Sequence, residues 1–274
     1  MSLGIVIKGA EGLVLAAESR VTIGAQPPQG QPIHVNFDNA TKLLSFSSPN
    51  TAVGAVTYGQ AAVGLRTPHS FMPEFEGGLP QQRLSVHEFA EHLSNFFMQQ
   101  WQTTMPSDYP GPNMTFVVAG FNEGEPYGRV FLIDIPRNPA PVEQNPNPGE
   151  FGITWGGQRE IVDRLIQGFD HNLPEIVSST LNLQPQQLQS VKEALNVLQM
   201  SIPLPAMPLQ DCVDLAVFFV RTTITAQRLT VGIRGCGGPI DVATITRRGG
   251  LRFIQRKAIV GELGIVTEAR ERRT

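Results

Sequence analysis

The sequence predicts an α+β fold with two antiparallel sheets covered by helices, and three observations carry that prediction. Strand-like and helix-like runs are segregated along the chain instead of alternating one for one. Neighbouring strand runs are joined by short turn-forming segments, as hairpins require. There is no G-x-G-x-x-G stretch, no phosphate-binding loop and no strict βαβ order, the marks of a doubly wound parallel sheet. The 274 residues are 41% apolar and 16% charged, which suits one large packed domain over residues 1–274. A net charge of −3 offers no basic excess for nucleic acid.

The first pair of strands is Ile5-Val6-Ile7 and Leu13-Val14-Leu15, split by the turn Lys8-Gly9-Ala10-Glu11-Gly12. Residues 25–40 are rich in proline and amides and read as a loop or edge excursion. Residues 42–46 and 51–58 follow as strands, with Asn50 marking their turn. Over 84–101, Ser85 is an N-cap, Glu88 completes a capping box, and Val86, Phe89, Ala90, Leu93 and Phe97 recur at helical spacing. Residues 115–121 and 129–135 form another strand pair. The Pro/Asn stretch 136–148 reads as loop, and order returns near Phe151. Helices are expected over 157–171, about 184–200, and 208–228, the last opening with Pro208 and an acidic residue. Residues 240–246 and 251–254 make the final hairpin around Arg-Arg-Gly-Gly, and 268–274 is a charged, solvated tail.

Two cysteines, Cys212 and Cys236, cannot build a disulfide framework or a zinc site and suit a reducing compartment. The first residues lack a basic region, and Lys8 and Glu11 interrupt their apolar run, so neither a signal peptide nor a membrane span is expected. The expected location is the cytoplasm. His87 and His92 stand five apart, about 140° around a helix, so they do not share a metal. No metal and no cofactor is expected. The pairs Phe96-Phe97 and Phe218-Phe219 read as core or subunit contacts, and Cys212 as core.

Gly12-Leu13-Val14-Leu15-Ala16-Ala17-Glu18-Ser19-Arg20 resembles the G-h-h-h-A-A-D-S-R signature of proteasome β-type subunits, within the N-terminal-nucleophile (Ntn) hydrolases. With Met1 removed, as a small second residue permits, Ser2 leads the chain and Glu18 falls at the seventeenth position, matching the family. Thr41-Lys42-Leu43 resembles the family's lysine-bearing strand, and residues 54–62 its glycine-containing strand and turn. The stretch from Leu84, the strand pair after it and residues 237–250 agree in order. Residues of about 25–40 and 172–207 look like insertions. The resemblance implies a four-layer αββα sandwich, a homo-oligomeric ring, a peptide or unfolded-protein substrate, and an ATPase unfoldase as a docking partner.

A serine hydroxyl needs a base near neutral pH, and a free terminal α-amine, with a pKa of about 7.7–8.0, can serve on the same residue. Ser2 would carry both groups. Lys42 would lower the proton affinity of hydroxyl and amine, and Glu18 would hold Lys42. The N–H of Gly59 or an adjacent residue is the expected oxyanion donor, Arg20 a supporting brace, and Cys236 a weaker nucleophile candidate that reads more simply as a small residue at a turn. Three positions depart from the family pattern: Gly156 and Cys236 stand at its serines and Ile233 at its aspartate. The expected function is a proteasome-like peptidase acting in protein breakdown. A catalytically silent ring or scaffold subunit and a small-molecule Ntn amidohydrolase are the alternatives.

Overall fold

The computed structural model describes residues 2–25, 33–232 and 234–261. Sheet one has the strand order β10 (Gly152–Gly157), β1 (Leu3–Lys8), β2 (Leu13–Glu18), β11 (Ile240–Thr246) and β12 (Gly250–Gln255). Sheet two runs β5 (Leu43–Ser45), β6 (Val53–Gly59), β7 (Met114–Gly120), β8 (Arg129–Ile135) and β9 (Asn138–Gln144). All their pairings are antiparallel.

The two sheets stack face to face because their inner strands β1, β2 and β7 are buried along their whole length. Along β1, Leu3, Ile5 and Ile7 pack outward against helices, while Val6 faces inward with Leu13, Leu15 and Ala17 of β2 and Val56 and Val117 of sheet two. Outside sheet one lie α3 (Glu160–Ile166) and α6 (Leu209–Leu229), which add Val162, Ile166, Val213, Ala216 and Phe219 to that core. Outside sheet two lie α1 (Met72–Gly77) and α2 (Val86–Thr104), which contribute Phe75, Phe89, Leu93 and Phe97. The result is helix, sheet, sheet, helix. The capping box of α2 forms as its sequence implies: Glu88 N–H donates to Ser85 Oγ at 3.2 Å, and Ser85 N–H donates to Glu88 Oε2 at 2.8 Å.

Four expectations need correction. Residues 25–40 are not simply a loop, since β3 (Val21–Ala25) pairs with β4 (Ile33–Phe37); residues 26–32 lie outside the described ones. The stretch 136–148 contains β9, the edge strand of sheet two. Pro139 and Pro141 alternate along it, and an edge strand tolerates a missing N–H on its open side. The helix expected over 157–171 spans only Glu160–Ile166, bracketed by Gly157 at φ +90° and Gly168 at φ +84°, and residues before it form β10. The helix expected over 184–200 is α5 (Pro185–Leu195), preceded by α4 (Leu173–Leu181), which ends at Asn182 in the left-handed conformation. Neither α1 nor β10 was anticipated. No described helix is long and apolar enough to cross a membrane. The tail 268–274 lies outside the described residues.

Candidate active site

Ser2 sits just ahead of β1, the strand held between β10 and β2, and is buried. Its carbonyl accepts from Gln158 N–H at 2.7 Å. Gly157 makes that contact feasible: its φ is +90°, and a Cβ there would lie 1.8 Å from Ser2 O. The next residue, Leu3, donates its N–H to Glu18 Oε1 at 3.2 Å. Ser2 and Leu3 are thus pinned from the two sides of β1, by the residue after β10 and by the last residue of β2.

Glu18 closes β2 and gathers donors. Besides Leu3 N–H, it accepts from Arg20 N–H at 2.7 Å, from Gly237 N–H at 3.0 Å, and from Lys42 Nζ. Lys42 Nζ also donates to the Arg20 carbonyl. The carboxylate is thus wrapped by main-chain N–H groups of Leu3, Arg20 and Gly237 together with the Lys42 ammonium. Lys42 is buried, and burial pushes its ammonium below the usual lysine range against the opposing pull of Glu18. The main chain of Lys42 is fixed as well, since its carbonyl accepts from Thr57 N–H at 2.9 Å.

Ser2 and Lys42 share one cavity of about 20 Å³, walled also by Val21, Thr41, Thr57 and Tyr58. That volume has room for about one water molecule. Thr57 Oγ1 is buried there with no hydrogen-bond partner among the described residues. Gly59 is not itself on the wall, but its neighbours Tyr58 and Gln60 are. It closes β6 at φ +85°, where a Cβ would meet Asn113 O at 2.2 Å. Gln60 N–H is already committed to Asn113 O at 2.8 Å, which leaves Gly59 as the better oxyanion candidate of the two.

Arg20 does not enter the cavity wall. Its guanidinium makes a two-pronged contact with Asp38, at 2.6 and 2.8 Å, and Nη1 reaches the Arg234 carbonyl at 3.3 Å. The pairing holds the Asp38 carboxyl below its usual range. Cys236 is buried beside Gly237; burial first, then the Glu18 charge, push its thiol well above the ordinary range, so the reactive thiolate is disfavoured. His87 and Glu91 face each other on the exposed side of α2. Among the described residues no cluster of metal-ligating side chains occurs. Thr57, Tyr58 and Asp38 were not singled out by sequence. The first two immediately precede Gly59 in the chain, which was the one available signal, whereas Asp38 sits in a stretch with no local pattern.

The geometry can be set beside solved structures. Anbu (ancestral beta-subunit) from Yersinia bercovieri superposes with a TM-score of 0.55 at 16% identity, covering 93% of this chain and 88% of that one. An Anbu (Gly-1) mutant from Hyphomicrobium sp. strain MC1 gives a TM-score of 0.53 at 13% identity, covering 94% of this chain and 86% of that one. The chain has the Ntn-hydrolase fold. No protein-family model and no curated protein matches the sequence. Within the Ntn-hydrolase frame, the expected αββα sandwich is present, with Ser2 and Glu18 at one end of sheet one and Lys42, just ahead of β5 of sheet two, reaching Glu18 from across. Of the three departures, Gly156 lies in β10 and Cys236 in the loop that holds Glu18, while Ile233 lies outside the described residues.

Proposed function

We propose that the protein is an amide-bond hydrolase of the proteasome-like kind, with Ser2 as nucleophile once Met1 is removed. The observation that carries this reading is the convergence at one cavity: Ser2 and Lys42 on its wall, with Lys42 held by a Glu18 carboxylate that also fixes Leu3 N–H. In this scheme Ser2 Oγ bonds to a substrate carbonyl carbon while its proton passes to the α-amine of the same residue. The amine then protonates the departing nitrogen as the C–N bond breaks. Water attacks the acyl-serine ester and gives its proton to the amine, which frees the acid and restores the hydroxyl. Lys42, as a cation, lowers the proton affinity of Oγ, and Gly59 N–H faces the developing oxyanion. Peptides are the substrate this scheme favours, with copies of the chain assembled into a ring.

A second reading is a silent ring subunit with the same fold. It draws support from the smallness of that cavity, which has room for about one water molecule, and from glycine at 156 where the resembling family carries a serine. The experiment that separates them is hydrolysis of a panel of short peptide amides by wild type and Ser2→Ala. Turnover that disappears in the variant supports the peptidase; no turnover in either supports the silent subunit.

A further inference from the structure

The face of α6 that packs on sheet one runs through Ala216, Phe219, Val220 and Thr223, all buried, with the Thr223 hydroxyl turned back to the Phe219 carbonyl at 2.9 Å. Gln227, four residues beyond Thr223, continues that stripe with an amide. An amide turned toward a core costs stability unless both of its ends are bonded. Here both are: Cys236 N–H donates to Gln227 Oε1 at 2.8 Å, and Gln227 Nε2 donates to Gln158 Oε1 at 2.8 Å. The orientation follows from chemistry, because a main-chain N–H can only donate. The amide oxygen must face Cys236, and the NH2 group is left for Gln158.

Those two partners lie on the two segments that hold the Ser2 end of the chain. Gln158 N–H donates to Ser2 O at 2.7 Å. One residue past Cys236, Gly237 N–H donates to Glu18 Oε2 at 3.0 Å, while Glu18 Oε1 accepts from Leu3 N–H at 3.2 Å and from Lys42 Nζ. The hydrogen bonds therefore close a ring that runs from Ser2 to Gln158, Gln227, Cys236 and Gly237, then to Glu18, and returns through Leu3. Among the described residues no other hydrogen bond joins 157–159 to α6 or to 234–238, so the Gln227 amide is the link between the two segments.

We propose that Gln227 is a positioning residue of the Ser2 site: its amide clasps the segment that holds the Ser2 carbonyl to the loop that holds Glu18, and so fixes the serine against the Glu18–Lys42 pair. This rests on the N-terminal serine reading. Gln227 is not on the cavity wall, so it acts through Gln158 and the 236–237 loop and not on substrate. A shift of about 1 Å at a reacting atom is enough to cost on the order of a hundredfold in rate. Gln227→Met keeps the length of the side chain and deletes both of its hydrogen bonds. Gln158→Met breaks the same clasp from the other end and leaves the bond to Cys236 in place.

The experiment uses the full chain with Met1 removed, as wild type, each single variant and the double variant. It reads hydrogen exchange at the main-chain amide of residue 158, and kcat and KM separately for a peptide amide. Gln227→Met is expected to speed exchange at 158 by about fivefold or more. It is expected to lower kcat roughly ten- to a hundredfold while KM stays within about twofold of wild type. The double variant is expected to lose no more kcat than Gln227→Met alone, since both changes break one clasp. Unchanged exchange at 158 in Gln227→Met overturns the proposal, and so does a loss confined to KM or a pair of kcat losses that multiply in the double variant. If Gln227→Met does not fold, Gln158→Met decides by the same two readouts, and wild-type values there overturn the proposal. Faster exchange at 158 in a chain that turns nothing over, wild type included, sinks the nucleophile reading and leaves the clasp standing, so the two failures are distinguishable.

Discussion

Replacing Lys42 by methionine removes one partner of a pair whose side chains are 5% and 0% exposed, and the structure sets the size of the consequence. Breaking a buried ion pair from one side costs about 3–5 kcal/mol, because the remaining charge is left without compensation. Glu18 keeps three backbone N–H donors, from Leu3, Arg20 and Gly237, so Lys42→Met belongs near the lower end, about 3 kcal/mol. At roughly 2–4 °C per kcal/mol for a chain somewhat under this length, the thermal midpoint falls by about 6–12 °C. Glu18→Leu is worse, since it orphans those three N–H groups, at about 1–3 kcal/mol each, and strands the Lys42 ammonium. The assay is thermal and urea unfolding followed by circular dichroism at one fixed protein concentration, so that any assembly contributes equally. A Lys42→Met midpoint within about 1 °C of wild type, or a Glu18→Leu variant milder than Lys42→Met, refutes the reasoning.

Other predictions concern chemistry and local backbone. Ser2→Ala abolishes hydrolysis while its circular dichroism spectrum and midpoint match wild type; retained turnover removes Ser2 from the mechanism. Gly157→Ala forces a left-handed conformation that costs an ordinary residue about 1–2 kcal/mol and drives a methyl into Ser2 O, so both stability and labelling of Ser2 fall. An alanine that leaves both intact shows that the contact does not position the serine. Cys212 and Cys236 are buried thiols with raised proton affinity, so a brief alkylation at pH 8 modifies neither until the protein is unfolded, as mass spectrometry can count. Asp38, held low by Arg20, contributes stability that is present above the unfolded carboxylate pKa and is lost as pH falls through the folded one. Arg20→Leu should therefore flatten the acid limb of the stability profile below about pH 4, and an unaltered limb contradicts that role.

The layers were legible where a run of residues carries its own period. The helix from Val86 announced both its cap and its buried face, and the apolar runs 5–7 and 13–15 split by a glycine-bearing turn announced β1 and β2. What stayed hidden was set by partners far along the chain. β9 is a strand because an edge position forgives its prolines, and α3 is short because two glycines bracket it, neither of which a periodicity measures. At the candidate site, spacing in the sequence singled out Ser2, Glu18 and Lys42, of which Ser2 and Lys42 line one cavity and Lys42 meets the Glu18 carboxylate. Asp38 and Tyr58 were not, because each owes its place to a contact across the fold: one to Arg20, the other to a pair of glycines on the facing sheet.

The central claim is that Ser2 becomes a free N-terminal nucleophile. Its most direct test is the intact mass of protein expressed without an N-terminal tag, measured before and after incubation with a serine-reactive peptide probe. The account predicts loss of Met1 and a single adduct that maps to Ser2 and is absent from Ser2→Ala. A chain that keeps Met1 and takes no adduct contradicts it.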